Sequence, residues 1–257
     1  HVSNEVSFDE ACPTPDPYSA EMRFCSAPEY VALLEDVGVD LVELTGNHIA
    51  DWGDEALLYT LDLYQARNWH TFGGGRNLSE ALQAVTIEHN GNHLAFLGCN
   101  ASGPTHAWAT EESPGAAPCD MEALSVEIDR LRSDGYLVVF TFQWFEGFAL
   151  LPAQRDAFRE VVEAGASIVS GSQAHMPMGF EFYGNGFIHF GLGNLFFDQM
   201  QSLALRQEFI DLHVFYNGRH ISTELRTALL EDYAQPRPMT DEERLALLTD
   251  MFKKSDW

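Results

Sequence analysis

Apolar residues three or four apart alternate with short unbroken apolar runs from residue 27 to residue 170, and this change of period limits the chain to few architectures. Ala27 to Val37 reads as a helix and Val39 to Leu44 as a strand. Asp54 to Arg67 reads as a helix with Leu57, Leu58, Leu61 and Tyr64 along one face. The strands Ala84 to Glu88 and His93 to Leu97 flank Asn90-Gly91, a hairpin turn pair. Met121 to Arg132 is helical, Leu137 to Phe142 a strand, Pro152 to Ala164 a helix opened by its proline, and Ser167 to Ser170 a strand. Helices between buried strands call for parallel pairing with right-handed crossovers, hence a layered α/β fold of mixed sheets flanked by helices. Beyond residue 179 the pattern turns to hairpins, at Gly184-Asn185-Gly186 and at Asn217-Gly218. Thr240 to Glu243 reads as a capping box that starts a terminal helix. We read residues 1–257 as one domain, with a core over 1–216 and a C-terminal hairpin strand and helix over 217–257.

The 39 acidic and 14 basic side chains leave a net charge of −25, and the two lysines, Lys253 and Lys254, both lie in the tail. Such a surface repels phosphate backbones, so nucleic acid is excluded as a partner. The plainest reading of the acidity is solubility. Four cysteines allow three pairings. We favour Cys12–Cys25 and Cys99–Cys119, because each pair closes a loop rich in proline, glycine or serine. Thiol–metal ligation is disfavoured by the lack of a C-x-x-C spacing. Disulfides imply an oxidising, extracytoplasmic compartment. No apolar run reaches 18 residues. The start at His1 reads as a processed product or fragment, with an export signal or membrane anchor placed upstream.

Ligands of open α/β sheets bind at the carboxyl ends of the strands. Four polar clusters suit that position: Ser3-Asn4-Glu5, Gly46 to Asp51, Phe142 to Glu146, and Ser170 to His175. Glu5, Asn47, Asp51, Glu146 and His175 offer oxygen and imidazole ligands, and His48 a general acid or anion binder. Each has a bland counterpart. Gly46-Asn47 also suits a tight turn, Asp51 a helix cap, His175 a hydrogen-bonded loop, and Gln143 and Glu146 the satisfaction of a sheet edge. His70, His89, His93, His106, His189, His213 and His220 read as structural.

In order, "SNE", "TGNHIADWG", "FGGGRNLSEA" and "AGASIVSGSQAHMPMGFEFYGNGFIHFGLGNLFFDQ" resemble the bacterial capsule-synthesis CapA family, linked to poly-γ-glutamate and related polymers. The resemblance runs from residue 1 to about residue 216, and the stretch from Ala164 to Gln199 is its most specific part. It implies a metallophosphatase-like layered sandwich. By that resemblance Glu5, Asn47 and His175 are metal ligands for Mn, Zn or Fe, and His48 steadies or protonates the scissile group. Two positions depart from the pattern, since Gln143 and Gln173 stand where ligand histidines are expected. The first strand, with its metal-binding aspartate, is also missing from a chain that starts at His1.

Two functions follow. In the first, a divalent-metal hydrolase with an altered ligand set cleaves phosphoester or amide bonds of an extracellular polymer, with His48, Asp51 and Glu146 catalytic. In the second, a non-catalytic module holds the polymer or a membrane-bound synthase. Trp52, Trp144, Phe145 and Phe148, with the amides of Gln143 and Gln173, then form the binding surface.

Overall fold

The apolar run after Gly38 forms the strand Leu41–Glu43, buried at all three positions and paired in parallel with Val2–Ser3 on one side and His70–Phe72 on the other. The computed structural model describes residues 1–14, 16, 22–233 and 235–255. They fall into two units, the first comprising His1–Val85, Phe96–Cys119 and Thr141–Gln143, the second Thr86–Ala95, Asp120–Phe140 and Trp144–Trp257.

In the first unit, the helix Val31–Asp36 stops before Gly38, whose left-handed backbone (φ +71°) suits the residue just past a helix end. The helix Gly53–Gln65 buries Ala56, Leu57, Leu61 and Tyr64 on one face. Val31, Leu34, Val42 and Leu44 share that core. Each fully buried leucine or valine contributes about 1.5–3 kcal/mol. Asp54 and Glu55 occupy the helix's first turn, where negative charge complements the dipole. The disulfides pair as expected, Cys12 with Cys25 and Cys99 with Cys119.

The second unit carries a six-stranded sheet in the order Phe180–Tyr183, Gly186–His189, Ala166–Ser172, Leu137–Gln143, Asn92–Asn100, Val85–His89. The carboxyl-terminal residues of two of these strands, 96–100 and 141–143, are counted with the first unit. The first two strands form the expected hairpin, Phe182 opposite Phe187, and Gly186–His189 runs parallel to Ala166–Ser172. The mixed pairing matches the layered α/β reading. The helix Pro152–Ala164 begins on its proline and ends at Gly165, and Met121–Ser133 is capped by the Asp120 side chain. A further antiparallel sheet joins Gln207–Phe215, His220–Glu231 and Gln235–Pro238. Its last strand is not legible in the sequence because of Pro236 and Pro238. An edge strand tolerates proline, since only one side of it is paired. The terminal helix Asp241–Lys254 has the full Thr240–Glu243 capping box and packs Leu247 and Met251 on Phe180, Phe187 and Phe209.

Candidate functional site

The Asn-His loop leaves the strand Leu41–Glu43 and passes close to the segment after Val2–Ser3. A Cβ on Gly46 would stand 2.6 Å from Glu5 Cα and 2.8 Å from its carbonyl oxygen, so only glycine permits this approach. Asn4 N–H donates to the Glu43 carbonyl at 3.2 Å, and Val6 bridges to His48. Gln143 ends its strand and is 1% exposed. Its Nε2 donates to Glu5 Oε1 at 2.7 Å and to Asn47 Oδ1 at 2.9 Å. A carboxamide nitrogen carries two hydrogens, so both are engaged by these residues. Below them Glu43 is buried, with the Thr45 hydroxyl donating to it. Burial pushes its carboxyl up to about 7, and the nearby Glu5 charge adds to that rise.

His48 and Asp51 form a second group in the same unit. His48 Nδ1 lies 2.8 Å from Asp51 Oδ2, and Phe24 N–H donates to the same oxygen at 2.8 Å. A carboxylate accepts, so Nδ1 carries the proton in this pair. Asp51 is therefore committed to His48 and Phe24 and does not cap the helix, which starts at Gly53 with Trp52 before it. The Arg23 guanidinium lies 5.2 Å above the Trp52 ring and donates to the Asp51 carbonyl at 2.8 and 3.2 Å. Arg23, Asn47, His48, Trp52 and His106 line a cavity of about 580 Å³.

The second unit holds the other predicted residues. Asn194 Nδ2 faces the His175 carbonyl at 3.1 Å and the Leu205 carbonyl at 3.1 Å, which turns Oδ1 toward His175 Nδ1 at 2.9 Å. Nδ1 is then the donor, and Nε2 faces Glu146 Oε1 at 3.7 Å. The ring stacks on Phe197 with centroids 5.3 Å apart. Gln173 Nε2 reaches Glu146 Oε1 at 3.5 Å. Gln173 (φ 81°) and His175 (φ 55°) both hold left-handed backbones, which cost non-glycine residues about 1–3 kcal/mol each and cluster at working sites. Trp144 packs edge-on against Phe145 and Phe158.

The donor chemistry is a test of the expected metal. In the first unit, the place between Glu5 Oε1 and Asn47 Oδ1 is taken by the Gln143 amide nitrogen, which donates hydrogen and cannot ligate. A cation needs the same two oxygens at roughly 2.0–2.6 Å, so these residues as arranged fit an N–H donor and not a metal. In the second unit His175 Nε2 and the Glu146 carboxylate converge, whereas a catalytic zinc takes about three protein ligands. No group of three His, Cys, Asp or Glu suited to a metal occurs among the described residues.

Sequence reasoning placed Glu5, Asn47 and Gln143 at strand ends, and the fold unites them. Arg23, and His106 with its structural expectation, line the cavity without belonging to any of the four polar clusters of the sequence. The signal available was position, since Arg23 precedes Cys25 by two residues and His106 lies inside the Cys99–Cys119 loop.

A family model described as bacterial capsule synthesis protein PGA_cap matches residues 5–199. The chain is similar to the capsule biosynthesis protein CapA of Bacillus anthracis, 27% identical over 218 residues that cover 82% of this chain and 53% of that protein. It is also similar to the PGA biosynthesis protein CapA of Bacillus subtilis (strain 168), 28% identical over 202 residues, covering 77% of this chain and 53% of that one. The chain thus spans about half the length of the curated relatives it matches. Among solved structures, a hypothetical protein from Thermus thermophilus aligns with a TM-score of 0.50 at 16% identity, over 82% of this chain and 81% of that one. That likeness concerns the fold alone.

Proposed function

This chain belongs to the bacterial capsule synthesis family PGA_cap, and from that premise we propose that it holds an extracellular polymer of the poly-γ-glutamate type during synthesis or processing, without cleaving it at a two-metal centre. One observation carries the reading: the Gln143 amide donates to both Glu5 and Asn47, where a metal would have drawn the same oxygens together. Trp52, on the wall of the cavity in the first unit, offers an aromatic face to a polyamide chain. Two disulfides support an extracytoplasmic place of action. A membrane-bound synthase is the partner this role would serve.

The test is calorimetric titration of Mn²⁺ and Zn²⁺, and of a glutamyl oligomer, into protein purified without chelator or histidine tag. The expected result is polymer binding that chelator leaves unchanged and no metal uptake through Glu5 and Asn47. About one equivalent of metal, lost in Asn47→Ala and coupled to polymer cleavage, would overturn the reading.

A second reading, a hydrolase of phosphoester or amide bonds with an altered ligand set, is favoured by the 2.8 Å His48–Asp51 contact. That contact orients an imidazole for general acid–base work. Polymer cleavage by the native protein that disappears in His48→Ala would support it, and no cleavage under any metal condition would remove it.

A further inference from the structure

We infer that the cavity beside the Asn47–His48 loop is a carboxylate-binding subsite, in which Arg23 and the Trp52 indole N–H take a free carboxylate of the polymer. This rests on the polymer-holding reading and names the chemical group recognised.

The cavity lining carries one arginine, Arg23, and one aspartate, Asp51, so its formal charge is near zero where the chain as a whole carries −25. Among the described residues, no carboxylate pairs with Arg23, whose side-chain hydrogen bonds both go to the Asp51 carbonyl. A guanidinium has five N–H donors, so three remain for a ligand. Stacking over Trp52 holds its plane, and the Cys12–Cys25 bridge anchors its segment two residues away.

Trp52 supplies an independent observation. Its Nε1 is buried and has no hydrogen-bond acceptor among the described residues, a donor that an acceptor on a ligand would satisfy. The acidic group of the cavity, Asp51, is engaged by His48 Nδ1 and Phe24 N–H, which offsets its repulsion of an incoming anion. His106 stands on the wall of the same cavity as a further donor. A cation that forms planar paired hydrogen bonds, a buried indole donor and an imidazole together fit a carboxylate better than a neutral carboxamide.

The experiment compares an oligo-γ-glutamate with the matched oligo-γ-glutamine by calorimetry, using the native chain, Arg23→Gln and Trp52→Phe. Near-ultraviolet circular dichroism and melting temperature establish that each variant is folded. The native chain is expected to bind the glutamate oligomer at least about tenfold more tightly than the glutamine oligomer. Arg23→Gln should abolish that preference with glutamine-oligomer binding unchanged. Trp52→Phe keeps an aromatic ring and removes the N–H, and should weaken glutamate binding by about fivefold or more. A native preference that survives in Arg23→Gln overturns the subsite and leaves the polymer-holding reading standing. Absence of binding for both oligomers overturns that reading and the subsite with it.

Discussion

Gln143 holds Glu5 at 2.7 Å across a separation of 138 residues, and the same amide nitrogen holds Asn47. A charge-assisted bond of this kind is stronger than one between neutral groups, and a buried carboxamide gives it little competition from water. The contact locks the start of the chain to the Asn-His loop.

Replacing Gln143 with leucine removes both donors and leaves Glu5 and Asn47 without this partner. We expect a loss of about 1–3 kcal/mol in urea unfolding, larger than for leucine at an exposed position. Unchanged stability would show that water replaces the amide there.

Gly46→Ala tests the close approach of the loop to Glu5. The added Cβ would lie 2.6 Å from a backbone carbon, which a side-chain rotation cannot relieve. The expected cost is about 1–3 kcal/mol, with weaker polymer binding because Asn47 and Glu5 separate. Full stability together with full binding would contradict this geometry.

Glu208 gives stability a pH dependence. It is 1% exposed, both its oxygens lack partners among the described residues, and burial pushes its carboxyl from 4.5 up to about 8. The folded protein therefore holds a proton that the unfolded chain has released, and stability falls as pH rises from about 4.5 through about 8. His213 works in the opposite sense: burial lowers it from 6.5 to about 4, so its contribution is lost as pH falls through that window. Between pH 7 and 8 the Glu208 effect should dominate. Glu208→Gln should flatten the decline there, and denaturation curves across the range read it directly.

The Cys12–Cys25 and Cys99–Cys119 bridges close loops with sequence separations of 13 and 20 residues. By loop entropy each contributes roughly 3 kcal/mol, because it restricts the unfolded chain. Serine at both positions of either pair should lower the melting temperature. If the carboxylate subsite is correct, Cys12→Ser with Cys25→Ser should also weaken glutamate-oligomer binding, since Arg23 loses its anchor. Cys99→Ser with Cys119→Ser supplies the comparison.

Residues near in sequence determined much of this protein. Repeats of 3.6 and unbroken apolar runs placed the helices Gly53–Gln65 and Pro152–Ala164 and the strand Leu137–Gln143 to within a residue or two. Asn217-Gly218 placed the turn before His220–Glu231, and the cysteine loops placed both bridges. These features follow from backbone geometry over a few residues, which periodicity and turn chemistry encode directly. Motifs likewise brought Glu5, Asn47, Gln143 and His48 forward as a set.

Tertiary structure alone decided what those residues do to one another. That the Gln143 amide points at Glu5 and Asn47, that Asp51 is spent on His48 and Phe24, and that Arg23 lies over Trp52 each depend on how distant strand ends and loops are set. A hydrogen bond weakens steeply over a few tenths of an ångström and a few tens of degrees. No local pattern specifies such a distance between residues 96 or 138 positions apart.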